Sequence, residues 1–266
     1  MRLIGPTAAG PDAAPSLRLL TYNIHKAVGR DQKRSVERIA DVIRAHRPDV
    51  VALQEVFRFD ADGLGASQAD QLSELLDLPH RAVGWNVPRK NGVYGNATLS
   101  RFPLEDTVNL DLKWRFKKRR SALYSRVRMP MGSLDLYNVH LGLAHFERVR
   151  QMRRLVRFTD ERAAKGQPVV IAGDTNDWWG RLTRMGQRHG GFACTGHGRA
   201  HHERRTFPAL LPIGALDRVF IRGGVRAADS FTCRAPLSRL ASDHLPLITD
   251  LVMAPARLHE ERVGAT

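Results

Sequence analysis

Residues 169–177 read VVIAGDTND, and the fold of the chain turns on them. Four apolar residues followed by Gly173 have the pattern of a short buried strand, which then delivers Asp174 and Asn176 at its end. Three other segments repeat the arrangement. Residues 17–23 lead to Asn23, residues 50–53 lead to Gln54 and Glu55, and residues 134–140 carry Asn138 and His140. Any one of these is the ordinary mark of a turn, because Asp and Asn are turn formers. Their recurrence, joined by Asp217 after Leu216 and by Asp243 beside His244, is the pattern of polar groups gathered on one sheet edge to form a site.

The chemistry of that set is oxygen-rich. Carboxylates and amides suit hard cations such as Mg²⁺ or Mn²⁺, whereas zinc favours His and Cys. Cys194 and Cys233 are far apart and lack metal-ligand spacing, so two buried free thiols are expected.

Outward from these segments, strands and helices alternate in the first half. Residues 35–45 place Val36, Ile39, Ala40 and Ile43 on one helical face, and Pro48 closes that region. A helix is also expected over 68–76 and a strand over 96–100. Residues 121–128 and 134–140 alternate apolar with polar and read as a hairpin turning at 129–133. Residues 145–162 carry Val149, Met152, Val156 and Thr159 on one side and read as an amphipathic helix. Strands over 216–221 and 247–252 complete the expected list, residues 180–212 read mostly as loop, and the ends, 1–15 and 255–266, read as frayed tails around one domain spanning 16–254.

Composition narrows the partners. The 266 residues hold 42 Lys plus Arg against 27 Asp plus Glu, a formal charge of +15 with a pI near 10.9. Such a surface attracts polyanions, either nucleic acid or an anionic membrane surface. No apolar run is long enough to span a bilayer, and no leader-like apolar stretch opens the chain, so a cytoplasmic protein is the expectation. A monomer is expected as well. The stretch KWRFKKRR at 113–120 interleaves aromatic and cationic side chains, with Trp114, Lys117, Lys118, Arg119 and Arg120 placed to meet a phosphate backbone and stack on a base. Anionic headgroups with inserted aromatics fit it equally well.

Seven short motifs in order, TYNIH at 21–25, ALQE at 52–55, GNATLSR at 95–101, YNVHL at 137–141, AGDTND at 172–177, LDRV at 216–219 and SDHLP at 242–246, resemble those of the endonuclease/exonuclease/phosphatase superfamily. The RTFPA stretch at 205–209 looks like that of a bacterial YbhP-type branch. The resemblance implies an α+β fold, a DNase I-like four-layer αββα sandwich of two packed mixed β-sheets flanked by helices, and a divalent-metal-dependent phosphodiesterase. It further implies Glu55 as the principal metal ligand with Asn23 and Asp243 beside it, and Asp174 and Asn176 at the attacking water. His244 oriented by Asp217, together with His140, would meet the phosphoryl oxygens, and Arg101 is expected on the substrate. One departure is His25, where abasic-site enzymes of the superfamily often carry an acidic residue. With the charge taken in, a nuclease is the favoured reading; a phospholipid or inositol-phosphate esterase of the same fold is the alternative, and an inactive nucleic-acid-binding module is a reading from another class.

Overall fold

The computed structural model describes residues 16–59, 67–196 and 200–254; the tails expected at 1–15 and 255–266 lie outside the described residues. In chain order the elements are β1 (Ser16–Asn23), α1 (Val36–Arg44), β2 (Val50–Phe59), α2 (Gln68–Leu76), β3 (His80–Arg89), β4 (Gly92–Ser100), β5 (Leu104–Asp111), β6 (Ser121–Met129), β7 (Gly132–His140), α3 (His145–Arg162), β8 (Val169–Asp174), α4 (Arg181–Gly190), β9 (Ala193–Cys194), β10 (Asp217–Arg222), β11 (Val225–Thr232), α5 (Pro236–Ala241) and β12 (Leu247–Met253).

Twelve strands form two six-stranded sheets, ordered β11-β12-β1-β2-β4-β3 and β5-β6-β7-β8-β10-β9. Each sheet has one parallel pair at its centre, β1 with β2 and β7 with β8, and antiparallel pairs outside it. Strand alternation explains why the sheets pack face to face. Leu17 and Leu19 of β1, Val50 and Ala52 of β2, Leu134 and Leu136 of β7, and Val170 and Ala172 of β8 share one buried cluster between the sheets. Their neighbours of opposite parity point outward. Leu20, Tyr22, Val51 and Leu53 meet α1 and α2 residues such as Ile39, Ile43 and Leu72, while Tyr137, Val139 and Ile171 meet Met152 and Leu155 of α3. Sheets that are apolar on both faces need cover on both, and four layers with three apolar seams result.

Local signals agree with this plan. Ser35 caps α1 by accepting from the Arg38 N–H, and Ser67 with Asp70 forms a reciprocal capping box on α2; such caps contribute about 1 kcal/mol each. The expected hairpin and the 145–162 helix are present. The loop expected over 180–212 is corrected in part, since 181–190 form α4. Its buried face is Leu182, Gly186 and Gly190, with Gly186 lying against Met152, Phe192 and Phe220, so a single large apolar side chain is buried on it. Four strands lie outside the expected ones, β3, β5, β9 and β11, and they are the four edges of the two sheets.

Candidate functional site

The parity that builds the inter-sheet core also builds the site. Along β1 the inward positions run Leu17, Leu19, Thr21, Asn23; along β7 they run Leu134, Leu136, Asn138, His140; along β8 they run Val170, Ala172, Asp174. The seam between the sheets thus changes from apolar to polar at one end, where the two parallel pairs both terminate. The changeover is made by a hydrogen-bonded layer. Gln54 Nε2 donates to Thr21 Oγ1 (3.1 Å) and Asn138 Oδ1 (2.8 Å), and Asn138 Nδ2 donates across to the carbonyls of Leu53 and Ala97 (3.0 and 2.9 Å). Buried amides with donors satisfied in this way tie one sheet to the other in a fixed register.

Beyond that layer the side chains converge on Asp174, which is 2% exposed. Its Oδ2 accepts from Asn23 Nδ2 at 3.1 Å and lies 3.4 Å from His140 Nε2 and 3.8 Å from His244 Nε2. Its Oδ1 accepts from the Asn176 N–H at 2.9 Å. The other nitrogen of His244, Nδ1, is 2.8 Å from Asp217 Oδ2. Gly173 makes the approach of β8 to β7 possible: its φ is +143°, and a Cβ there would stand 2.0 Å from the Val139 carbonyl oxygen.

The two imidazoles differ in charge. Burial would lower the His244 ring, but Asp217, Asp174 and Asp243 outweigh it and raise the ring to about 10, so it is an imidazolium at neutral pH. His140 is lowered well below its ordinary value by burial and by the cations Arg120, His244, Lys118 and Lys26. The His140 to Asp174 contact is therefore that of a neutral ring and not an ion pair. Burial pushes Asp174 upward and Asp217 adds to this, with His244 opposing.

Glu55 reaches the same end by a different route. Between Leu53 and Val56 the register with β4 slips, and Glu55 takes a left-handed φ of 55° at this bulge. Its carboxylate pairs with the Lys26 ammonium. Burial would raise Glu55, but Lys26 first, then Lys118 and His25, hold it below the ordinary range. Lys26 and Lys118 both lie over the Tyr94 ring, 5.4 and 5.1 Å from its centroid. Asp243 is half-buried and accepts from Ser242 Oγ at 3.3 Å; that hydroxyl is also 2.8 Å from the Asn23 carbonyl oxygen. Among the described residues no group of three or more His, Cys, Asp or Glu is arranged to hold a metal ion.

Several expectations change. Arg101 is not at this end: β4 runs antiparallel to β2, so Arg101 follows Ser100 at the start of β2 and pairs with Asp49 at 2.9 Å. Arg120 is buried, its carbonyl accepting from the Leu112 N–H, and its charge helps to lower His140. Lys117, Lys118 and Arg119 remain exposed on the loop before β6, and Trp114 packs edge-on against Phe146 with centroids 4.9 Å apart. Asn176 spends its amide on the Leu141 carbonyl, 2.9 Å away. Asp217 and Arg218, adjacent in sequence, are not paired; Arg218 Nη2 donates to the Asp177 carbonyl.

Lys26 carried no sequence signal of its own. Gln54 and Asn138 stand among the polar groups at the strand ends, but that they clip one sheet to the other is visible only in the structure. The 205–209 stretch proves to be the support behind His244: the Phe207 ring lies 4.8 Å from the imidazole, the Thr206 carbonyl accepts from the Leu245 N–H, and Thr206 Oγ1 accepts from the Asp217 N–H.

Comparison with known proteins agrees with this architecture. Residues 20–244 match the Endonuclease/Exonuclease/phosphatase family. The protein YbhP of Escherichia coli (strain K12) is 32% identical over 257 residues, covering 89% of this chain and 96% of YbhP. Among solved structures, an endonuclease/exonuclease/phosphatase from Beutenbergia cavernae superposes with a TM-score of 0.72 at 27% identity, over 90% of this chain and 72% of that one. Danio rerio TDP2 in complex with a single-strand DNA product gives 0.69 at 18% identity, over 89% and 98%. With two mixed sheets meeting at one polar end and a family match across most of its length, this chain belongs to the endonuclease/exonuclease/phosphatase family.

Proposed function

We propose that the protein is a divalent-metal-dependent phosphodiesterase. The observation that carries this reading is the set of contacts around Asp174, in which a buried carboxylate faces an amide, a neutral imidazole and an imidazolium that Asp217 holds from behind. A phosphoryl group set against them meets donors for its developing charge, and its attacking water meets a base. Asp174 takes or orients the water's proton at Oδ2. His244 donates from Nε2 to a phosphoryl oxygen, with Asp217 fixing the ring, and His140 donates from the other side. Asn176, with its N–H on Asp174, keeps that carboxylate in position.

The residues at Glu55 fit a hard cation. The donors are oxygens, the Glu55 carboxylate is held ionised, and it already draws a cation in the Lys26 ammonium. Mg²⁺ sites commonly rely on one or two carboxylates, with water and substrate completing the shell, so no three-ligand protein cage is required. Glu55 would hold Mg²⁺ or Mn²⁺ with Asn23 and Asp243 beside it. When bound, such an ion supplies Lewis-acid polarisation of the phosphoryl oxygen.

Charge alone favours nucleic acid as substrate, and TDP2 is described with DNA, but at 18% identity that likeness speaks to the fold. The exposed apolar side chains on the loops around the site, Leu143, Trp179 and Leu211 among them, favour the phospholipid alternative. An inactive binding module would have no need of the Asp174, His244 and Asp217 set. The deciding assay is hydrolysis of bis(p-nitrophenyl) phosphate with Mg²⁺, with Mn²⁺ and with EDTA. Turnover untouched by EDTA would refute the metal dependence, and no turnover with either metal would refute the phosphodiesterase.

A further inference from the structure

Eleven large apolar side chains are exposed among the described residues, and all but Leu75 belong to segments at the end of the sandwich that holds Asp174. The topology establishes this. Leu143 and Phe146 follow the end of β7, Trp179 follows the end of β8, and Leu211 and Ile213 precede the start of β10, whose Asp217 is in register with Asp174. Phe116 lies on the loop that leads into β6, where Ala122 is in register with Val139. Phe116 is fully exposed, Trp179 is 76%, Leu143 74% and Leu211 72% exposed. Apolar exposure is normal when scattered, but gathered on one rim it marks a contact surface.

The cations stand on the same rim. Lys113, Arg115, Lys117, Lys118 and Arg119 are exposed around Phe116, in a stretch that contains no carboxylate, and the edge contact of Trp114 with Phe146 joins this loop to the apolar tip at Leu143. Three occupants compete for such a face. A second copy of this chain would bring +15 against +15 and is disfavoured by that repulsion. Nucleic acid would use the cations and the aromatic rings, but six of the ten rim side chains are Leu or Ile, which have no π-face on which a base stacks. Hydrocarbon accepts aliphatic and aromatic groups alike, and anionic headgroups satisfy the cations between them.

We propose that this rim docks on an anionic phospholipid surface and so presents headgroup phosphodiesters to the site between the sheets. The docking stands on the rim alone; the headgroup as substrate rests on the phosphodiesterase reading. The test is flotation of the whole protein, in EDTA so that nothing is hydrolysed, with vesicles of phosphatidylglycerol and phosphatidylcholine in equal parts and of phosphatidylcholine alone, alongside titration with single-stranded DNA. The triple variant Leu143→Ser, Trp179→Ser, Leu211→Ser is compared throughout, and its hydrolysis of bis(p-nitrophenyl) phosphate separates a failure of docking from a failure of chemistry. Expected are binding to the anionic vesicles only, a blue shift of the tryptophan emission on binding, and at least a tenfold loss of vesicle affinity in the variant. Absence of vesicle binding, equal vesicle binding by the variant, or a variant that loses DNA affinity while keeping vesicle affinity would each overturn the proposal.

Discussion

Asp217 Oδ2 stands 2.8 Å from His244 Nδ1 at the polar end, while its second oxygen, Oδ1, is buried without a hydrogen-bond partner among the described residues. One carboxylate oxygen is thus committed to the ring, and the His244 nitrogen that faces Asp174 is Nε2. The pairing sets both the orientation and the charge of the imidazole. The folded-state value near 10 is above the ordinary 6.5, so the stability it contributes is complete below about pH 6.5 and is lost as pH rises toward 10. In metal-free protein, the His244 ring followed by NMR is expected to stay protonated through pH 8. Asp217→Asn should let it titrate at a distinctly lower pH and reduce kcat by roughly a hundredfold or more. An unchanged titration in the variant would show that Asp217 does not set the charge.

Glu55 and Lys26 give opposite predictions for metal. Glu55→Gln removes the anionic oxygen and should abolish Mn²⁺ binding in calorimetry, and Mg²⁺-supported turnover with it, leaving the thermal unfolding transition in place. Lys26→Met removes the cation that competes for the same carboxylate and should tighten Mn²⁺ binding several-fold. Weaker binding in Lys26→Met would mean that the ammonium supports the ion instead of competing with it.

Asp174 and His244 should act as one unit. Asp174→Asn and His244→Ala are each expected to lower kcat by about a thousandfold, since a base or a charge-matched donor is typically worth that much. The double variant should lose little more than either single one. Losses that multiply would place the two residues in separate steps.

Gly173 offers a test of the scaffold that avoids every polar group of the site. A Cβ at this position would meet the Val139 carbonyl oxygen at 2.0 Å, so Gly173→Ala must part β7 from β8, the pair that delivers His140 and Asp174. A fall in melting temperature of several degrees together with a large loss of kcat is expected. Melting unchanged from the parent protein would argue against the tight approach.

Much of the central structure was legible because it obeys local rules. The apolar runs of β1 and β8 are written in short segments, and the hairpin and α3 have clear periods. The strands that escaped, β3, β5, β9 and β11, are the edges of both sheets. An edge strand has a neighbour on one side only; β5 is mostly exposed along its length, so it lacks the apolar run by which buried strands are read. The helix α4 escaped because glycine does part of its packing.

By itself the sequence determined the family and the sheet-and-helix class, and it singled out Asn23, Glu55, His140, Asp174, Asp217, Asp243 and His244 as candidates, since ordered motifs are properties of neighbouring residues. Only the tertiary structure decided which of the other candidates share their space. Arg101 went to the far end because β4 runs antiparallel to β2, Arg120 went inside, and Lys26 came onto Glu55 through a left-handed turn and a bulge. It also decided that exposed Leu, Ile, Phe and Trp from loops remote in sequence stand on one rim, because loops meet only where the strands that carry them end together.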